Sequence, residues 1–158
     1  MRALPVASLG GALIAGDEDG ALDFALGFGL NGVATAGLKW LVHKDRPDGS
    51  DANSFPSGHT SVAFQSASFL HLRYGLAYGG PAYLLASYVG FSRVHARKHF
   101  LEDVLVGAAL GVASSAVFTR DRDDDRNPTP AVSLGMTLAF GSGLPTRFGI
   151  GVPGSNGN

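Results

Sequence analysis

Three short clusters stand out in an otherwise apolar chain. Lys39 is followed, after six residues, by Arg46-Pro47. Pro56-Ser57-Gly58-His59 comes next, and Ser92-Arg93 is then followed after five residues by His99 and after three more by Asp103. Lys39, Arg46 and Arg93 supply three cations, and the two guanidinium forks match the oxygens of a phosphate. A helix starting at Ser57, Gly58 and His59 would turn its first backbone N–H groups outward as an anion site. Gly58 would let a ligand approach that backbone closely. These are the residue types of a phosphate site.

His99 and Asp103 are four apart, so on a helix they share one face. A carboxylate on one ring nitrogen would fix the tautomer and leave the other nitrogen free to attack. His59, from another loop, is placed to protonate a leaving oxygen and then to activate water. The cations would stabilise charge on a transferring phosphoryl group. The chemistry expected is phosphoryl transfer through His99.

Together the three clusters resemble the three-part signature of the type-2 phosphatidic acid phosphatase superfamily, over roughly residues 21–118. The resemblance implies an all-α bundle, a phosphohistidine intermediate, and no metal or cofactor beyond an anion such as phosphate or vanadate. It implies His99 as nucleophile, Asp103 as its partner and His59 as general acid. Lys39, Arg46, Ser57, Gly58 and Arg93 would hold the phosphate. The substrate expected is a phospholipid or isoprenoid phosphate, such as phosphatidic acid, phosphatidylglycerol phosphate, undecaprenyl diphosphate or phosphorylated lipid A. The rivals are an acid phosphatase for soluble phosphomonoesters and a non-catalytic module that binds anionic lipid. The vanadium haloperoxidases of the same superfamily resemble a much larger design than this compact chain.

To converge, the clusters must lie at one end of a bundle. Apolar stretches recur at about 3–15, 21–42, 59–72, 76–91 and 104–118, which predicts about five helices. Pro47 stops one helix, Pro56 sits where another can start, and Gly75 and Gly79-Gly80-Pro81 punctuate the next connection. Alternating helix directions bring the loops 43–57 and 92–99 to the same end, with a last helix from about His99 to Phe118. Gly107 and Gly111 form a small-xxx-small pair suited to close helix packing. Residues 1–120 are read as the helical domain and 121–158 as a charged linker and Gly-rich tail. In the tail, alternation over 132–140, with 147–152 as partner, predicts a short β-hairpin.

The 158 residues are 45% hydrophobic and only 16% charged, with net charge -1. That balance argues against bulk nucleic-acid binding, which needs a basic footprint. With no cysteine, disulfides and thiol chemistry are excluded. Mean hydropathy is +0.15, and most apolar stretches are shorter than the ~20 residues that span a bilayer core. The expectation is a membrane-associated protein of the bacterial envelope, in the inner membrane facing the periplasm or soluble in the periplasm. Met1–Ala15 reads as a first helix and not as a cleaved signal, having no Ala-x-Ala-like site.

Other polar residues have plainer readings. His43 and His71 are read as packed or solvated. His95 and His99 have metal-ligand spacing, but no third ligand is evident and Arg93, Arg97 and Lys98 would repel a cation. Ser57 lacks the Gly-x-Ser-x-Gly surroundings of a nucleophile elbow. The sequence leaves the oligomeric state open.

Overall fold

A computed structural model describes residues 3–122. The chain runs through five helices: α1 (Ala3–Ile14), α2 (Glu18–Leu41), α3 (Gly58–Tyr74), α4 (Leu76–His95) and α5 (Leu101–Phe118). The all-α bundle expected from the apolar periodicity is what forms. Among the described residues there is no strand, only an isolated bridge between Lys44 and Asn53. The predicted tail hairpin lies outside the described residues.

Local chemistry sets the helix ends. Asp17 caps α2 by accepting from the Gly20 N–H at 3.0 Å, and Glu18 and Asp19 complement the helix dipole in the first turn. Gly75, at φ +85°, ends α3 and begins α4, so one residue reverses the chain. Three expectations are corrected. Gly79-Gly80-Pro81 lie inside α4 and not in the connection before it, because Gly75 alone makes the turn. α4 runs on through His95, so Ser92 and Arg93 belong to its last turn and not to a loop. α5 starts at Leu101, which leaves His99 in the turn before it. The reason is a cap: the Asp103 carboxylate accepts the Phe100 N–H at 2.9 Å and so fixes the helix start at that point.

α3 is the central helix and packs on all four others, most extensively on α5 and α4. Its contact with α5 is unusually close. A Cβ at Gly107 would lie 2.6 Å from the Ser57 carbonyl oxygen, and one at Gly111 would lie 2.2 Å from that of Ser61. The two backbones touch, so the small-residue pair is a seam that only glycine permits.

Beside small apolar clusters around Phe24 and Phe69 and around Ala67 and Ala86, much of the interior is polar, and much of the exterior is apolar. Ser57, Thr60, Ser61, Gln65 and Ser66 of the central region are fully buried, and so is Asn31 of α2. Val33, Trp40, Leu84 and Tyr88 point outward with 73%, 76%, 75% and 68% of their surface exposed. Water would reward the opposite arrangement. α2 and α5 are long and apolar enough to cross a membrane.

At the far end of the bundle from the loop 42–57, Asp17 and Arg73 form a buried bidentate pair at 2.5 and 2.9 Å. Tyr74 donates to the same carboxylate at 2.7 Å. Arg73 also donates to the carbonyl of Arg120 at 3.0 Å, tying the end of α3 to the chain beyond α5.

Candidate active site

Antiparallel packing carries the end of α2, the start of α3 and the turn before α5 to one end of the bundle. There Lys39, Arg46, Gly58, His59 and His99 line one cavity of about 530 Å³. Its remaining wall is apolar, formed by Pro5, Val6, Phe28 and Val62. Two cations and two histidines among apolar residues, with no carboxylate in the lining, make a place for an anion attached to an apolar body.

The loop 42–57 is built to present these groups. Lys39 donates to the Asn53 carbonyl at 2.7 Å, and Arg46 pairs through Nε with Asp51 at 2.9 Å. The Ser54 N–H donates to the Lys44 carbonyl at 2.9 Å. The Phe55-Pro56 peptide is cis. The loop thus folds back on itself between α2 and α3, with Ser54 and Ser57 both fully buried.

His99 is held by an unexpected partner. Its Nδ1 lies 2.6 Å from the Ser54 carbonyl oxygen, whereas the nearer Asp103 oxygen is 3.7 Å away. A carbonyl only accepts, so Nδ1 carries the proton, and in the neutral ring the lone pair sits on Nε2. The expected Asp103–His99 hydrogen bond is therefore replaced. The physical reason is competition: Asp103 accepts from Lys44 at 2.7 Å, from the Ser54 hydroxyl at 2.5 Å and from the Phe100 N–H.

The other expected ligands divide. Gly58 and His59 open α3 and face the cavity. Ser57 is engaged inside the protein: its N–H donates to the Asp103 carbonyl at 2.9 Å and its hydroxyl bonds Thr60 at 2.9 Å. That overturns the expectation that its amide is free for an anion. Arg93 is not among the cavity-lining residues. Its Nε contacts the Ser92 hydroxyl at 3.4 Å, and its carbonyl accepts from the His99 N–H at 3.3 Å.

Burial is the main cause that lowers the pKa of His99 below its ordinary 6.5. The Ser54 carbonyl opposes the shift, while Arg46 and Lys39 add to it. His59 is also lowered, first by burial and then by the charge of Arg93. His95 stacks on Phe91 at 5.7 Å and His71 lies edge-on to Tyr83 at 5.8 Å, and neither lines the cavity. Among the described residues no three His, Asp or Glu side chains gather as a metal site.

Lys44 and Ser54 were not singled out by sequence reasoning. Lys44 lies inside the six-residue spacer between Lys39 and Arg46 and read only as part of the loop 43–57. Ser54 read as loop. A third cation so close to two others was the available signal.

A helical bundle with a cation-lined cavity at one end, and a histidine whose Nε2 carries the lone pair, suits an anion such as phosphate. The PAP2 superfamily profile matches residues 20–126, and the chain belongs to that superfamily. Over 91 residues it is 44% identical to a lipid A 1-phosphatase of Porphyromonas gingivalis, covering 56% of this chain and 20% of that protein. Over 100 residues it is 31% identical to a lipid A 4'-phosphatase of Helicobacter pylori, covering 58% and 48%. Over 63 residues it is 43% identical to the bacitracin transport permease protein BcrC of Bacillus licheniformis, covering 40% and 30%. The chain thus spans half or less of the length of these relatives. No solved structure matches it.

Proposed function

We propose that this protein is a metal-independent phosphatase that removes phosphate from a membrane lipid through a phosphohistidine on His99. The observation that carries this reading is the mixed lining of the cavity. Lys39, Arg46, His59 and His99 share it with Pro5, Val6, Phe28 and Val62. A phosphate would sit among the cations while the apolar body of the substrate lies against the apolar residues. The apolar exterior supports a membrane protein, and the bacterial relatives support a bacterial one.

The steps follow from the placement of the two histidines. Nε2 of His99 attacks phosphorus, the bond to the leaving oxygen breaks, and that oxygen takes the bond's electron pair and a proton from His59. Water then attacks the phosphohistidine, giving its proton to His59 as the P–N bond breaks and returns the lone pair to Nε2. Arg46, Lys39 and Arg93 hold the equatorial oxygens or act on them by charge.

Two relatives are named for lipid A, which favours a phosphorylated glycolipid over other lipids. The test is phosphate release by the full chain in detergent with chelator present. Substrates are a lipid A-type glycolipid phosphate, undecaprenyl diphosphate, phosphatidic acid and an aryl phosphate. Lipid substrates should exceed the aryl phosphate by about tenfold or more in kcat/KM. Preference for the aryl phosphate would favour the soluble-substrate reading. Activity lost to chelator would overturn the metal-free mechanism, and lipid binding without release would leave a binding module.

The pH profile provides a second check. Attack needs neutral His99 and protonated His59, and both groups titrate below 6.5 in the free protein. Protonated His59 is lost as pH rises through that lowered value, so kcat/KM should peak on the acid side of 6.5. A peak above neutrality would contradict these assignments.

A further inference from the structure

Asp103 is fully buried and bears on the nucleophile without touching it. One carboxylate oxygen takes Lys44 at 2.7 Å, and the other takes the Ser54 hydroxyl at 2.5 Å. Ser54 then accepts the His99 Nδ1–H on its own carbonyl at 2.6 Å. Lys44 is steadied in turn by Glu102 at 2.7 Å and by the Phe100 ring, whose centroid lies 4.4 Å from Nζ. Carboxylate, serine and imidazole therefore form a chain, with a lysine closing its charge.

Resting on the phosphotransfer reading above, we propose that Lys44 and Ser54 are positioning residues. Lys44 neutralises Asp103, and Ser54 stands between that carboxylate and the ring, so that His99 stays neutral with Nε2 ready to attack. A buried carboxylate stripped of its cation draws a proton onto the nearest basic group. Here that group is the imidazole 3.7 Å away. A carboxylate at such range raises a histidine pKa by about 1–3 units. A protonated ring has no lone pair on Nε2, so the nucleophile would be lost. Lysine in this place keeps the anion that organises the turn while removing its pull on the ring.

The other charged groups around His99 act in the same sense or are shared. Lys39 at the end of α2 and Arg46 on the loop both disfavour a second proton on the ring. His59 at the start of α3 lines the same cavity. Glu102, exposed, shares Lys44 with Asp103.

The test titrates the His99 ring by its 15N shifts in detergent-solubilised full chain, for the parent and for Lys44→Met, Lys44→Arg, Ser54→Ala and Ser54→Thr. The parent should show the Nδ1–H tautomer. In Lys44→Met and Ser54→Ala the ring midpoint should rise by about one pH unit or more, and Lys44→Arg and Ser54→Thr should restore it. In turnover, kcat/KM of Lys44→Met should fall about tenfold near pH 5.5, and the loss should fade near pH 8. A ring midpoint unmoved in both loss variants overturns the proposal, as does an equal loss at every pH. The ring titration needs no turnover, so it decides this proposal even if the chain releases no phosphate. Full activity in His99→Ala would instead sink the phosphotransfer reading and leave the ring result standing.

Discussion

His99→Ala should release phosphate at least about 10⁴-fold more slowly than the parent and form no acid-labile, base-stable phosphoenzyme. The size of the effect follows from what the ring alone supplies. Nδ1 is occupied by the Ser54 carbonyl, which leaves Nε2 as the proposed nucleophile, and among the described residues only His59 joins it as a second imidazole on the cavity. Alanine leaves the cations in place, so substrate binding should weaken far less than turnover. Acid-quench experiments with labelled lipid phosphate would check both points. His59→Ala should behave differently, slowing leaving-group departure and dephosphorylation while still permitting some labelled enzyme to accumulate. If His99→Ala retained both turnover and label, a different nucleophile would have to be sought.

Arg73→Met should destabilise the bundle by about 3–5 kcal/mol, with kcat per folded molecule unchanged. The Asp17 and Arg73 side chains are only 4% and 1% exposed. Removing the guanidinium leaves a buried carboxylate with Tyr74 and the Gly20 amide as its remaining hydrogen-bond donors. The pair lies at the opposite end of α2 and α3 from the cavity, which is why chemistry should survive. Arg73 holds the Asp17 carboxyl well below the ordinary carboxylate range. Its folded value being depressed, the stabilisation is present above about pH 4 and is lost as pH falls below that. Denaturant titration in detergent at neutral and acid pH would test both statements. An Asp17→Asn/Arg73→Met double variant should recover part of the loss, since neither charge is then stranded. Equal stability of Arg73→Met and parent would show that the pair is not a structural tie.

Much of this arrangement is legible in the residues alone, because apolar periodicity and proline and glycine punctuation are local signals. The five helices fall close to where the apolar stretches put them, although Gly79-Gly80-Pro81 lie within α4 and mark no boundary, and His59, His99, Lys39 and Arg46 do meet on one cavity. What escaped notice depended on competition between neighbours. Asp103 is four residues from His99, and spacing alone favours a direct contact. Only the folded loop shows that Lys44, Ser54 and the Phe100 amide take its oxygens first. The Ser57 amide likewise looks like a free donor until α5 brings the Asp103 carbonyl against it. Hydropathy gave a muted membrane signal for a related reason. α3 carries serines, threonine and glutamine that face other helices, so its average understates how apolar the outer surface is.

The polar centre of α3 has a consequence for how the protein is made. Lipid has no partners to offer Ser61, Gln65 or Ser66, so α3 is a poor candidate to enter a bilayer as a solitary segment. Gly75 joins it to α4 without any intervening loop. On the membrane reading, the α3–α4 hairpin and not the single helix is then the unit of insertion. It would lodge stably only once α2 and α5 flank it. A nascent chain halted before α5 would leave the surface of α3 that receives the glycine seam uncovered.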